Sequence, residues 1–175
     1  MRALSNMRKT VILSLITAVV FCGTASAEIL KNESEIKTSG YYKVYLSSGI
    51  YVQGNYRDGK REGRFETYDE KNGKRLEVCH YYAGEKHGIC KKYHPQTGEL
   101  LKVVEFFVGV PHGSYKEYYE NGKLKLETYY RHGVKEGVEK AYYDDGRLAK
   151  QIVFKNNQPV KVSEYDRSGK VVLEK

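Results

Sequence analysis

The sequence predicts an all-β protein, an elongated antiparallel β-meander of tandem β-hairpin repeats about 24 residues long. Three observations predict this fold. Glycines recur in two interleaved sets, aromatic residues recur at fixed distances before those glycines, and the segments between them alternate in polarity as strands do. No segment after residue 27 shows a sustained apolar period of 3.6 residues, so we expect little helix.

The first set of glycines predicts one row of turns. It consists of four G-x-x-x-G segments whose closing glycines are 25, 25 and 24 residues apart. The segments run from Gly59 to Gly63, from Gly84 to Gly88, from Gly109 to Gly113 and from Gly133 to Gly137. Glycine adopts positive φ at no steric cost, which is typical of turns. In a fifth, degenerate copy Asn157 replaces the first glycine, and asparagine tolerates the left-handed conformation better than most residues.

The second set of glycines predicts the opposite row of turns, at Gly49, Gly73, Gly98, Gly122, Gly146 and Gly169. Asn121-Gly122 and Asp145-Gly146 are dipeptides that favour hairpin turns. The sequence between the rows predicts strands near residues 41–46, 50–57, 64–69, 75–82, 89–94, 100–107, 114–119, 124–131, 138–143, 148–155 and 161–166.

Two columns of aromatic residues are predicted to form the core. One column stands three residues before the first residue of each G-x-x-x-G segment or of its degenerate copy, and consists of Tyr56, Tyr81, Phe106, Tyr130 and Phe154. The other column stands four or five residues before each glycine of the second set, and consists of Tyr45, Tyr68, Tyr93, Tyr118, Tyr142 and Tyr165. Stacked hairpins should place ring on ring along each column, and each ring can bury ~150–250 Å². We interpret these ladders as packing rather than as a platform for a ligand.

Residues 1–27 have the organisation of a secretory signal peptide. Basic residues precede an apolar run from Val11 to Cys22, and Ala25, Ser26 and Ala27 offer a cleavage site. The run is too short to cross ~30 Å of hydrocarbon as a helix, which argues against a retained anchor. Starting translation at Met1 or at Met7 makes no difference to this prediction. We expect an exported protein that is periplasmic, at the cell surface or secreted after cleavage near Ala27.

The chain after residue 27 divides into two parts. Residues 28–39 are polar and without a pattern, so we expect a flexible lead-in. Residues 40–175 form the repeat domain, with about five repeats and a C-terminal cap where residues 157–161 depart from G-x-x-x-G. The 30 basic and 22 acidic side chains are interleaved, without a run of five like charges. This pattern argues against a nucleic-acid partner, while envelope lipid and cell-wall polymer stay open beside a protein partner.

Cys79 and Cys90 lie on successive predicted strands. In an oxidising compartment such a pair invites a disulfide, but bridging requires Cα atoms within ~7 Å and therefore a particular strand register. Cys79 also occupies the position that carries Val104 one repeat later, so a core-filling role is the alternative. The sequence leaves both interpretations open.

The sequence predicts neither a metal site nor a cofactor. His80, His87 and His94 surround the cysteines without the C-x-x-C or H-x-x-x-H spacing of metal ligands. His87 and His112 precede a closing glycine, where Glu62 stands in another copy, so we interpret them as turn residues. A nucleophile elbow, a phosphate-binding loop and an H-E-x-x-H pair are all missing from the sequence. We therefore expect a protein that is not an enzyme.

The repeats resemble a known family. Copies such as Gly113-Ser-Tyr-Lys-Glu-Tyr-Tyr-Glu-Asn-Gly-Lys-Leu-Lys-Leu-Glu-Thr-Tyr-Tyr-Arg-His-Gly133 are similar to the bacterial MORN-variant repeat, a relative of the membrane occupation and recognition nexus repeat. The resemblance extends from about Gly40 to Lys175. It implies hairpins stacked in an elongated sheet that serves as a protein-interaction or membrane-proximal scaffold. Some similar bacterial proteins are antitoxin components.

The sequence favours an exported, non-enzymatic protein that binds a protein partner as a scaffold in the bacterial envelope or outside the cell. One alternative is a periplasmic or secreted immunity protein, similar to an antitoxin, that neutralises a toxin. A second is an enzyme associated with the cell wall. The repeat pattern assigns neither the binding residues nor the oligomeric state.

Overall fold

The computed structural model describes residues 28–175, and the predictions about the signal peptide lie outside them. The described chain forms one sheet of 15 strands. These are β1 (Glu28–Leu30), β2 (Gly40–Leu46), β3 (Ile50–Arg57), β4 (Lys60–Asp69), β5 (Arg75–Tyr82), β6 (Glu85–Lys86), β7 (Gly88–Tyr93), β8 (Leu100–Phe107), β9 (Val110–Tyr118), β10 (Leu124–Arg131), β11 (Val134–Lys135), β12 (Gly137–Tyr142), β13 (Leu148–Lys155), β14 (Gln158–Tyr165) and β15 (Val171–Glu174).

The predicted fold class is confirmed. Each successive hairpin pairs antiparallel with the one before it, and the only parallel pair among the described strands is β1 with β2. A 3₁₀ turn at Glu33–Glu35 is the single helical element between residues 28 and 175. No helix within that range is both long and apolar enough to cross a bilayer.

Each G-x-x-x-G segment forms a turn followed by a bulge. Arg57 pairs with Lys60 across a two-residue turn in which Asp58 and Gly59 have φ of 50° and 74°. Positive φ at both central residues matches the right-handed twist of the flanking strands. The closing glycine, Gly63 with φ 76°, lies inside β4, where the register with β3 shifts. This is why β4 begins earlier than the predicted residue 64.

The pairing registers place one residue of each main strand in a continuous row on each face of the sheet. We call the face that contacts Ile36 the inner face. Its central inner row consists of Tyr42, Gly54, Phe65, Cys79, Cys90, Val104, Tyr115, Thr128, Glu139, Ile152 and Val162. The central outer row consists of Lys43, Gln53, Glu66, Val78, Lys91, Val103, Lys116, Glu127, Lys140, Gln151 and Ser163.

The buried core lies at the N-terminal end of the inner face. It consists of Ile36, Tyr42, Val44, Val52, Tyr56 and Phe65. A Cβ on Gly54 would approach the Phe65 ring to 2.8 Å, so the glycine at this position makes room for the ring. The Phe65 ring thus fills the space beside Gly54 in the central inner row at this end of the sheet.

Residues 28–39 are ordered, in contrast to the predicted flexible lead-in. β1 pairs with β2, and Ile36 is only 5% exposed against the inner face. The Tyr56 hydroxyl donates a 2.7 Å hydrogen bond to Glu33, which also forms a salt bridge with Arg61. Two apolar residues, Leu30 and Ile36, provide enough hydrophobic contact to hold an otherwise polar segment against the sheet.

The aromatic ladders differ from the expected ring-on-ring stacks. They lie on opposite faces, and of their members only Tyr56 is buried while the others are half-buried. Successive members stand two strands apart, about 9.5 Å, so a side chain of the intervening strand must fill the gap. Phe65 fills it between Tyr56 and Tyr81, with centroids at 5.0 and 5.2 Å. In later repeats a cation takes this role, as Lys135 does 4.9 Å from the Phe154 centroid.

Candidate interaction surface

The structure brings the two predicted cysteines together. Cys79 and Cys90 oppose each other in the central inner row with Cα atoms 4.1 Å apart and sulfur atoms 2.13 Å apart. Both are buried, and they occupy the row where Phe65 and Val104 stand in adjacent strands. The disulfide therefore joins β5 to β7 and fills a core position at the same time.

Charge pairs and side-chain hydrogen bonds join neighbouring strands in the described part of the sheet. Burial alone would raise the pKa of Glu117, but hydrogen bonds from Tyr115 and Lys102 outweigh it, so the pKa of this carboxyl is lowered. Burial and a hydrogen bond to Glu127 raise the pKa of Tyr142 to about 12. Within residues 28–175 no group of three or more metal-ligating side chains is assembled.

The residue before each closing glycine links neighbouring turns. Glu62 accepts a 3.0 Å hydrogen bond from the backbone N–H of Ala83, the first residue of the next turn. His112 does the same through Nδ1, which accepts from the N–H of His132 at 3.2 Å. His87, in the equivalent place, has a buried Nδ1 without a hydrogen-bond partner among the described residues. The structure thus uses this position for turn-to-turn contact.

Side chains beside these turns form a continuous row of rings along one edge of the sheet, which we call the aromatic edge. It consists of Tyr82, His87, Phe107, His112 and His132, and neighbouring ring centroids are 5.9, 5.2, 5.9 and 4.6 Å apart with their planes tilted by 49–59°. Tyr82 and Phe107 are exposed to solvent. Exposed aromatic side chains that lie next to one another are typical of surfaces that bind another molecule.

One turn within the aromatic edge departs from all the others. Residues 107–110, which we call the apolar turn, expose Phe107, Val108 and Val110 by 49, 50 and 42%. Three of the four corresponding turns carry charged or polar pairs at their first two positions, such as Arg57-Asp58 and Lys155-Asn156, and the fourth carries Tyr82-Ala83 followed by the charged Glu85. This site was not identified in the sequence analysis. The signal was present in the sequence, because the apolar turn is less polar than its counterparts.

The backbone of the apolar turn is strained. Val108 has φ 44°, a left-handed conformation in which a β-branched residue is rare. The equivalent positions of the other turns hold Asp58, Ala83, His132 and Asn156 at φ of 50–52°. None of these residues is β-branched, and Asp and Asn adopt this conformation more readily. The left-handed conformation of Val108 costs about 1–2 kcal/mol of stability. A turn that only connected two strands would be more stable with a residue type that adopts this conformation readily.

Further apolar side chains are exposed on the outer face. Ile89, Tyr129 and Val138 are exposed on β7, β10 and β12, to one side of the central outer row. The polar residues Glu105 and Ser114 lie between Ile89 and Tyr129, as the cross-strand partners of Ile89 and Tyr129 respectively. Patches of exposed apolar side chains with a polar surround mark contact sites for other macromolecules.

Comparisons with known proteins match part of the repeat region. The family model described as MORN repeat variant matches residues 111–132 and 135–156, two adjacent copies. No curated protein sequence matches this chain. A solved structure titled "Crystal Structure of TarM" aligns over 55% of this chain and 20% of that chain, with 16% sequence identity and a TM-score of 0.37. A TM-score this low supports no statement about fold or function.

Proposed function

We propose that this chain is an exported, non-enzymatic repeat protein that binds a protein partner, and that the apolar turn and aromatic edge form the contact surface. The observation that carries the proposal is the apolar turn itself. It has large apolar side chains at its first, second and fourth positions, whereas each corresponding turn has at least one charged or polar residue at these positions. The match to the MORN repeat variant supports a binding module built from repeats.

The energetics of the apolar turn favour a binding role. Exposed Phe107 and Val108 contribute little to folding, and the left-handed conformation of Val108 costs stability. A partner that covers these side chains recovers the hydrophobic free energy, at ~25 cal/mol per Å² of apolar surface removed from water. Aromatic side chains at the centre of an interface commonly dominate its affinity. Phe107 is the residue we expect to contribute most.

Two features support an extracytoplasmic location. The signal-peptide pattern of residues 1–27 predicts export. The Cys79–Cys90 disulfide is typical of an oxidising compartment such as the periplasm or the exterior. We propose that the partner is met in the envelope or outside the cell, where a toxin neutralised by an immunity protein would be one such partner.

Site-specific photo-crosslinking tests the proposal. A photoreactive phenylalanine analogue at position 107 should capture a protein from cells that export this chain. The matched control carries the same analogue at position 155, which holds the equivalent place in the last turn of the same row, where Lys155 pairs with Gln158 as Phe107 pairs with Val110. We expect a discrete crosslinked product at 107 and none at 155. Equal capture at both positions, or none at either, would contradict the proposal.

A further inference from the structure

The two faces of the sheet differ in how their charges are balanced. On the inner face four strand carboxylates have a cation partner: Glu77 with Lys86 at 3.0 Å, Glu117 with Lys102 at 2.9 Å, Glu139 with Lys135 and Glu164 with Lys150 at 2.7 Å. The pairs of Glu117 and Glu164 join cross-strand register partners. Most of the carboxylate charge on the inner face is therefore paired with a neighbouring cation.

The outer face carries more cations than carboxylates. In its central row, four lysines stand beside two glutamates: Lys43, Lys91, Lys116 and Lys140, with Glu66 and Glu127. Glu66 pairs with Arg64, and Glu127 accepts a 2.7 Å hydrogen bond from Tyr142 and forms a 4.0 Å salt bridge with Lys140, which leaves Lys43, Lys91 and Lys116 without a salt bridge among residues 28–175. The central outer row thus retains uncompensated positive charge.

Two of these lysines flank the strand that leads into the apolar turn, about 13 Å along β8 from Phe107. Lys91 and Lys116 flank Val103 in the central outer row, on strands β7 and β9, and so stand two strand spacings or about 9.5 Å apart. Neither forms a salt bridge with any carboxylate of residues 28–175, and the preceding 27 residues contain no Asp or Glu. Exposed Ile89 lies on the same strand and the same face as Lys91.

We propose that the partner presents an acidic surface segment to Lys91 and Lys116 while its apolar side chains cover the apolar turn. This inference rests on the proposed function and adds the chemistry of the partner. An interface with an apolar centre and a charged rim is the common arrangement between proteins. Complementary charge at such a rim speeds association and selects among partners. The wide, isolated placement of the lysines suits scattered carboxylates better than the closely spaced phosphates of a nucleic acid.

Adjacent lysines provide a matched pair of variants. Lys91 and Lys92 are consecutive on β7 and both exposed, and because side chains alternate along a strand they lie on opposite faces. Lys91→Glu and Lys92→Glu therefore change the net charge of the protein equally but on different faces. The measured quantity is the affinity of the purified, disulfide-intact protein for a labelled glutamate–tyrosine copolymer, a soluble probe with carboxylates and rings.

We expect the wild type and Lys92→Glu to bind the copolymer alike and Lys91→Glu to bind at least fivefold more weakly, with the difference shrinking as salt is raised. Equal weakening by both substitutions would show a response to net charge alone and would overturn the inference. Binding to vesicles of anionic phospholipid, but not to the copolymer, would also overturn it in favour of a lipid surface. Crosslinking at position 107 that survives Lys91→Glu would leave the proposed function standing while this inference fails.

Discussion

The two halves of the ribbon are built from the same repeat but are stabilised differently. In the N-terminal half, the side chains buried on the inner face are apolar or aromatic, and Ile36 covers them from outside the repeats. In the C-terminal half, the buried side chains of the inner face are the polar Thr128 and Glu139, and Ser163 is buried on the outer face. No described segment covers the inner face there. The repeat therefore supplies a regular sheet, and a segment outside the repeat converts one end of it into a hydrophobic core.

The central inner row shows how this change occurs. Each hairpin places one pair of residues in the row, from Gly54 with Phe65 through Cys79 with Cys90 and Val104 with Tyr115 to Thr128 with Glu139 and Ile152 with Val162. Repeat positions thus keep their geometry while their chemistry varies. The disulfide lies between Phe65 and Val104 in this row.

The largest expected effect is at the covered end. Phe65→Ala removes a fully buried ring and should lower the free energy of unfolding by about 3–5 kcal/mol. Phe154→Ala, in the uncovered half, removes a half-buried ring and should cost about half as much or less. Denaturant unfolding of both variants measures the contrast. If the two substitutions cost the same, the halves are equally packed and the comparison is wrong.

The disulfide between the halves is expected to have the next largest effect. It closes a loop between residues 11 positions apart, and constraining the unfolded chain in this way is worth about 2–3 kcal/mol. A reducing agent should lower the midpoint of unfolding of the wild type. The double variant Cys79→Val with Cys90→Val, which keeps the row apolar as Val104 does, serves as the control and should not respond to reduction. Similar responses of both proteins would show that the bond contributes nothing.

Sequence reasoning predicted the hairpins well because glycine spacing and strand alternation are local properties. It predicted neither the fold of residues 28–39 nor the location of the core. Both depend on which face Leu30 and Ile36 contact, and that is decided by tertiary packing far from the repeat pattern. The ladder residues were identified by position, but their separation by two strands follows from the pairing order rather than from their spacing in the chain.

The candidate surface was predictable only in part. The cysteines and the turn role of His112 could be read from repeat alignment, whereas the choice between a disulfide and two separate thiols required the strand register. The apolar turn was visible as an irregular copy. Its significance depends on the exposure of Phe107 and the strain at Val108, and neither property is encoded in local composition.

Acid should weaken the half in which charge pairs replace apolar contacts. The pKa of Glu117 is lowered in the folded protein, so this carboxylate stabilises the fold above its unfolded pKa, and that stability is lost as pH falls through the folded pKa. Glu117→Gln should cost on the order of 1 kcal/mol at pH 7 and progressively less below about pH 4. Thermal unfolding across this pH range measures the difference. The exposed turn residue Glu70 provides the control, since Glu70→Gln should leave the pH profile unchanged.

The smallest expected effect, and one of opposite sign, comes from relieving the strain in the apolar turn. Val108→Asn replaces a β-branched residue at φ 44° with the residue type that occupies φ 52° at position 156 of the last turn. Asparagine adopts this conformation more readily, so the variant should be more stable by about 0.5–1 kcal/mol. Asn156→Val, the reverse exchange in the last turn, should destabilise the protein by a similar amount. If the strained conformation of the apolar turn serves binding, Val108→Asn will be more stable and will lose crosslinking from position 107. A more stable variant with unchanged crosslinking would place the contact surface elsewhere.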